Sequence, residues 1–266
     1  EGTGYVPTMM VPFTAGHEGG AGSGAIGAGD QPDTEKGTPV TGSLLIGGLT
    51  ACNVIPDEIL TDHPKRFRAM LVEAANPAHS LADSVRMREA LSSLDLLVVI
   101  DVALSETARL ADYVLPVASQ YEKAEASFFN FEFPHNAFHV RKRLLPPLHG
   151  LFSEAELHCR LLEALGELPA EPIAALRGAW HESRKPFREK FVELAMSNPS
   201  ILSIAPAVLY RAIGDLLPEG LAEVAGVWLL CQILDQTHHA SLARAGFTGE
   251  PGQAGDALFD AILAAK

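Results

Sequence analysis

The sequence predicts an α/β protein: a Rossmann-like parallel sheet flanked by helices, followed by a mainly helical C-terminal region. Three observations carry this expectation. The run "LDLLVVI" (Leu94 to Ile100) is almost continuously apolar, as in a strand covered on both faces. It sits in an alternation of strand, helix, strand, helix, strand, which is the rhythm of a parallel sheet. From Ser153 onward, apolar residues recur at helical spacing.

Residues 1–45 are rich in Gly, Pro and Thr and read as a loop segment. Gly22, Gly24 and Gly27 have the spacing G-x-G-x-x-G. A dinucleotide turn needs a strand before it and a helix after it. Pro12 interrupts the first, and "DQPDTEKGTPVTG" cannot start the second, so the spacing is read as chance. Within residues 46–150, "FRAMLV" (Phe67 to Val72) predicts a strand. "SLADSVRMREALSSL" (Ser80 to Leu94) predicts a helix capped by Ser80, with Met87, Ala90, Leu91 and Leu94 on one face. After the central strand come a short helix, "ETARLA", and a short strand, "YVLPV". Residues 151–266 are predicted helical. Ser153 and Glu156 form a capping box, Leu157, Leu161 and Leu165 follow, and Gly166 ends the helix. Further helices are marked by Phe187, Phe191 and Leu194, by Leu209, Ala212, Ile213 and Leu216, and by Leu221, Val224, Ala225 and Trp228. His238 and His239 are placed at a helix end.

The 266 residues are 47% hydrophobic, enough to bury a sizeable core. A net charge of −13, from 20 Lys+Arg against 33 Asp+Glu, disfavours nucleic acid and anionic membranes as partners. Cys52, Cys159 and Cys231 are widely spaced, with no C-x-x-C pair. This argues against a disulfide framework or a self-contained metal cluster and fits a reducing, cytoplasmic compartment. No run is long enough for a membrane span. The chain opens Glu1-Gly2, which suggests an internal section of a longer polypeptide.

In an open parallel sheet, ligands bind beyond the carboxyl ends of the strands. Three polar segments occupy those positions: "EAANPAHS", "DVALSET" and "ASQYEKAEASFFN". Asp101 directly follows four apolar residues, and its carboxylate suits either the donor edge of a guanine or the cap of the next helix. Ser105 reads first as a helix cap, Asn76 as a turn residue before Pro77, and Glu122 with Lys123 as a solvated pair. Their joint placement at successive strand ends marks them as one group. A metal pair at His135 and His139 is disfavoured by Pro134 and Asn136.

The stretch "LDLLVVIDVALSETARLADYVLPVASQYEKAEASFFN" resembles the molybdopterin oxidoreductases, the dimethyl-sulfoxide-reductase and formate-dehydrogenase superfamily. Asp101, Ser105, Glu106, Thr107, Ala108, Ala111, Asp112, Val114, Leu115, Pro116, Glu122 and Lys123 fit the family's pattern, and Ala74 to Pro77 stand for its "G-x-N-P". The resemblance implies that residues 46–150 are a molybdopterin-dinucleotide-binding domain. They would hold one guanine-dinucleotide arm of bis(molybdopterin guanine dinucleotide) carrying molybdenum or tungsten. Asp101 would hold the guanine with Ser105 beside it, and Asn76, Glu122 and Lys123 would line the groove. Arg141, Lys142 and Arg143 are candidate partners for phosphate.

It further implies a 4Fe-4S cluster elsewhere in the longer protein, a small-molecule redox substrate and an electron-transfer partner. Neither a catalytic residue nor a metal ligand is assigned within this chain. Two departures weaken the match: Ala74 replaces a glycine, and Glu125-Ala126 replaces "G-T", which puts Asn130 in doubt as a contact. A non-catalytic nucleotide-binding module and a structural or interaction module are the alternative readings.

Overall fold

The computed structural model describes residues 37–44, 50–127 and 138–265. The glycine-rich stretch with Gly22, Gly24 and Gly27 lies outside the described residues, as do Asn130, Pro134, His135 and Asn136. The chain forms two compact units that meet in sequence between Ala118 and Ser119.

The first unit is the predicted parallel sheet. Strands β1 (Ala69–Glu73), β2 (Leu96–Asp101) and β3 (Tyr113–Pro116) lie side by side in that order, all parallel. Val72, Val99 and Val114 form one cross-strand row, and this face packs on Ala78, Met87 and Leu91 from the crossover helices. The opposite row is Leu71, Val98 and Tyr113. Leu71 is 50% and Tyr113 63% exposed, so the expected cover on both faces is not complete among the described residues.

Helix α1 (Ile55–Ile59) precedes the sheet. The single helix expected over 80–94 is instead two, α2 (Pro77–Ser80) and α3 (Ser84–Ser92). Asp83, not Ser80, caps the longer one. It turns into the left-handed region at φ 50, and its carboxylate accepts the Arg86 N–H at 3.1 Å. The short polar side chain of Asp tolerates that conformation, and the reversal breaks the helix. Met87, Ala90 and Leu91 are buried as their spacing predicts.

Glu58 on α1 is fully buried. Its carboxylate accepts the Val40 N–H at 2.9 Å, the Thr41 N–H at 2.8 Å and the Thr41 hydroxyl at 2.7 Å, fixing the loop that closes at the Gly37–Leu44 bridge. Burial pushes its pKa up, but the hydrogen bonds from Thr38, Thr41 and Val40 outweigh burial and hold it below the ordinary value. A lowered folded-state pKa stabilises the protein above the unfolded value, about 4.3, and this contribution is lost as pH falls through the folded value. Glu58→Gln sets an amide donor against backbone donors. It is expected to cost about 1–2 kcal/mol at pH 7 in urea titrations. The gap from wild type should close below about pH 4; a gap constant from pH 7 to pH 3 would rule out this role.

The second unit is helical: α4 (Glu154–Leu165), α5 (Ala170–Glu182), α6 (Arg184–Ser197), α7 (Ala205–Ile213), α8 (Val227–Arg244) and α9 (Gln253–Ala264). Ser153 caps α4 and Gly166 ends it in the left-handed region at φ 75, as the sequence predicts. Leu165 is nevertheless exposed, and the α4 residue facing the core is Cys159. The helix expected around Leu221 to Trp228 begins as a 3-10 turn, Ala222–Gly226, before α8 starts at Val227. His238 has non-helical φ/ψ at a kink where two helical segments meet within α8, in keeping with a helix end there, and His239 pairs with buried Asp235 at 2.6 Å.

Residues 119–127 and 138–150 group with these helices. They contain an antiparallel pair that sequence reading missed, β4 (Glu125–Ser127) and β5 (His139–Arg141). The Ala124 N–H donates to Glu223 and the Arg143 N–H to the Gly220 carbonyl. Burial pushes the thiols of Cys159 to about 11 and Cys231 to about 12, so both are unreactive packing residues. Among the described residues, no single helix is long and apolar enough to cross a membrane.

Candidate functional site

The carboxyl ends of β1 and β2 bring together most of the predicted site residues. The register is fixed by the Ala74 N–H bonding to the Ile100 carbonyl at 3.0 Å and the Val117 N–H bonding to the Asp101 carbonyl at 3.3 Å. Asp101 is the last residue of the central strand, where the buried run Val99-Ile100 gives way to a polar loop. Its Oδ1 accepts the Ala103 N–H at 3.2 Å, and its Oδ2 accepts the Ser105 hydroxyl at 3.2 Å. Ser105 Oγ in turn accepts the Ala108 N–H at 3.3 Å. The carboxylate is thus fixed by its own loop, yet each oxygen retains acceptor capacity. That geometry serves both readings offered by the sequence: local cap, and acceptor for two parallel donors.

Just beyond β1, Ala74 stands in the left-handed region at φ 49, and it is exposed. A residue with a Cβ is uncommon there and costs on the order of 1 kcal/mol or more. Two residues on, Asn76 is more than a turn residue. Its Oδ1 accepts both the Thr107 N–H at 3.1 Å and the Thr107 hydroxyl at 2.8 Å. Its Nδ2 donates to Glu106 Oε2 at 2.6 Å. Thr107 is buried, and its Oγ1 accepts the Ala78 N–H at 3.0 Å. Asn76 and Thr107 therefore lock the loop after β1 to the loop after β2. Sequence reading assigned no role to Thr107 or Glu106; both lie in "SETA", but their partner stands about thirty residues away, beyond the reach of any local period.

Glu122 and Lys123 belong to the second unit. The Glu122 carboxylate accepts the Ser119 and Leu148 N–H groups, each at 2.9 Å. The bonds at Ser119, then that at Leu148, hold its pKa below the ordinary value. The Lys123 ammonium is half-buried against Glu154. Glu125 pairs with Arg141, Arg143 with Glu219 at 3.6 Å, and the Lys142 stem packs at Gly220.

Residues 42–148 match the family model for molybdopterin oxidoreductase. The F420-dependent formate dehydrogenase alpha subunit of Methanocaldococcus jannaschii is 39% identical over 94 residues, 35% of this chain and 14% of that protein. The molybdopterin-containing thiosulfate reductase subunit PhsA of Salmonella typhimurium is 30% identical over 124 residues, 47% of this chain and 16% of that protein. The trimethylamine-N-oxide reductase of Vibrio vulnificus is 29% identical over 100 residues, 38% and 12% respectively. Acetylene hydratase from Pelobacter acetylenicus, a solved structure, aligns with a TM-score of 0.41 and 21% identity, covering 46% of this chain and 17% of that one. The chain thus spans only about a seventh of the length of these curated relatives. The similarity to the molybdopterin oxidoreductase family thus lies in residues 42–148, less than half of the chain.

Proposed function

We propose that this chain is a section of a longer molybdenum-dependent oxidoreductase and that its parallel-sheet unit holds one guanine-dinucleotide arm of the cofactor. The observation that supports this most directly is Asp101, an oriented carboxylate at the end of the central strand. The N1–H and amino group of guanine are parallel donors, and a carboxylate with both oxygens open to a further bond matches them. When bound, the cofactor supplies two-electron or oxygen-atom transfer at its metal. This chain's residues supply position and electrostatics. Asp101 accepts the base edge, and Ser105 keeps the carboxylate aimed. Asn76, whose polar groups are engaged within the first unit, frames the loop after β1, and Glu122 and Lys123 order the turn they occupy in the second unit. Substrate, iron–sulfur cluster and electron partner belong to the rest of the polypeptide and its complex.

In the full-length protein, Asp101→Ala is expected to lower the guanine nucleotide released per protein by about ten-fold. Circular dichroism should show the fold intact. Undiminished guanine content in that variant removes the assignment.

A further inference from the structure

We propose that Glu106 is a second nucleoside-binding carboxylate of this site, accepting the two ribose hydroxyls, and that Asn76 is its positioning residue. The inference rests on the guanine reading of Asp101 and extends it to the sugar.

The hydrogen bonds fix the Asn76 amide without ambiguity. A backbone N–H can only donate, so the Asn76 atom facing Thr107 N must be the oxygen. The Thr107 hydroxyl already accepts from Ala78, so its own proton goes to the same oxygen. Both lone pairs of Oδ1 are then used inside the protein. The amide nitrogen has one direction left, and it points at Glu106 Oε2.

Glu106 is exposed, and exposed glutamates ordinarily sample many rotamers. Ordering one on binding costs roughly 1–2 kcal/mol. Here the ordering is done in advance by an amide that is itself anchored to a buried threonine. The Asn76 hydrogen bond, then Glu106's own backbone N–H and the charges of His79 and Arg88, also hold its pKa below the ordinary value. A ligand that offers donors at two points suits this pair: Glu106, held by Asn76, is the neighbour in sequence of Ser105, whose hydroxyl donates to Asp101. A guanine nucleoside does so: its base edge carries one set and its sugar diol the other. A ribose diol meets a carboxylate at a strand end in other α/β dinucleotide sites by the same chemistry.

The test uses this chain with guanosine monophosphate and its 2′,3′-dideoxy analogue, each titrated at millimolar concentration by amide chemical shifts. Wild type is expected to bind the ribonucleotide about ten-fold more tightly. In Glu106→Gln that preference should fall to about two-fold or less. Asn76→Ala should show the same loss, with the dispersion of the sheet amides retained. A merely structural Asn76 would weaken both ligands equally. Should Glu106→Gln keep the ten-fold preference, the ribose assignment is wrong while the Asp101 reading stands. Should wild type show no response to either ligand, or no ribose preference, the ribose assignment fails as well. Neither result decides the Asp101 reading, which falls separately on full guanine content in the Asp101→Ala full-length protein.

Discussion

Trp228→Ala is expected to destabilise the helical unit by about 4 kcal/mol. Trp228 is 1% exposed and is the largest fully buried side chain among the described residues. Its ring meets Phe187 edge-on at 4.7 Å and 67°, and Phe191 at 5.3 Å and 76°. Truncation opens a cavity walled by two aromatic rings that cannot collapse into it. It also removes the Nε1–H that donates to Asp256 at 3.0 Å. Asp256 would keep Gln232 and Arg188 as partners, so the loss is dominated by volume rather than by an orphaned charge. Trp228→Phe restores most of the volume and should cost about 1–2 kcal/mol, the hydrogen bond and the remaining gap. Urea unfolding followed at 222 nm reads both. A loss below about 2 kcal/mol for Trp228→Ala would mean that the three rings are not the core of this unit.

Asp101→Asn is expected to invert base preference. Guanine presents an amino donor where xanthine presents a carbonyl. The asparagine amide can keep its oxygen toward the Ala103 N–H and turn its NH2 toward the ligand. Against guanine this sets donor against donor. Loss of two charge-assisted bonds at about 1.5–3 kcal/mol each, softened by water, predicts roughly 100-fold weaker binding of guanosine monophosphate. Xanthosine monophosphate should bind the variant better than it binds wild type. If both nucleotides weaken equally, Asp101 acts as a loop cap without reading the base.

Much of the sheet was legible because burial leaves a strong mark. The central strand showed itself as an apolar run, and its last residue as the first carboxylate after it. The crossover was misread for a local reason: periodicity continued through Asp83, and only the left-handed turn there splits the helix. The site was half legible. Asp101 and Ser105 lie four residues apart, so a loop reading found them. The Asn76–Thr107 lock and the Asn76–Glu106 bond span about thirty residues and depend on strand register, which no window of sequence displays. Glu122 and Lys123 were found by position, but their partners, Leu148 and Glu154, are set by tertiary contacts rather than by neighbours in sequence.

The alanine at φ 49 also constrains the future of this chain. A methyl group is about the bulkiest hydrocarbon such a backbone admits; Gly, Asn or Asp can follow it, whereas Val, Ile or Thr would have to unmake the turn. Single-base changes at that codon to Val, Thr or Pro therefore meet a conformational filter before they meet any ligand, and drift just beyond β1 is channelled into a few small or short polar residues.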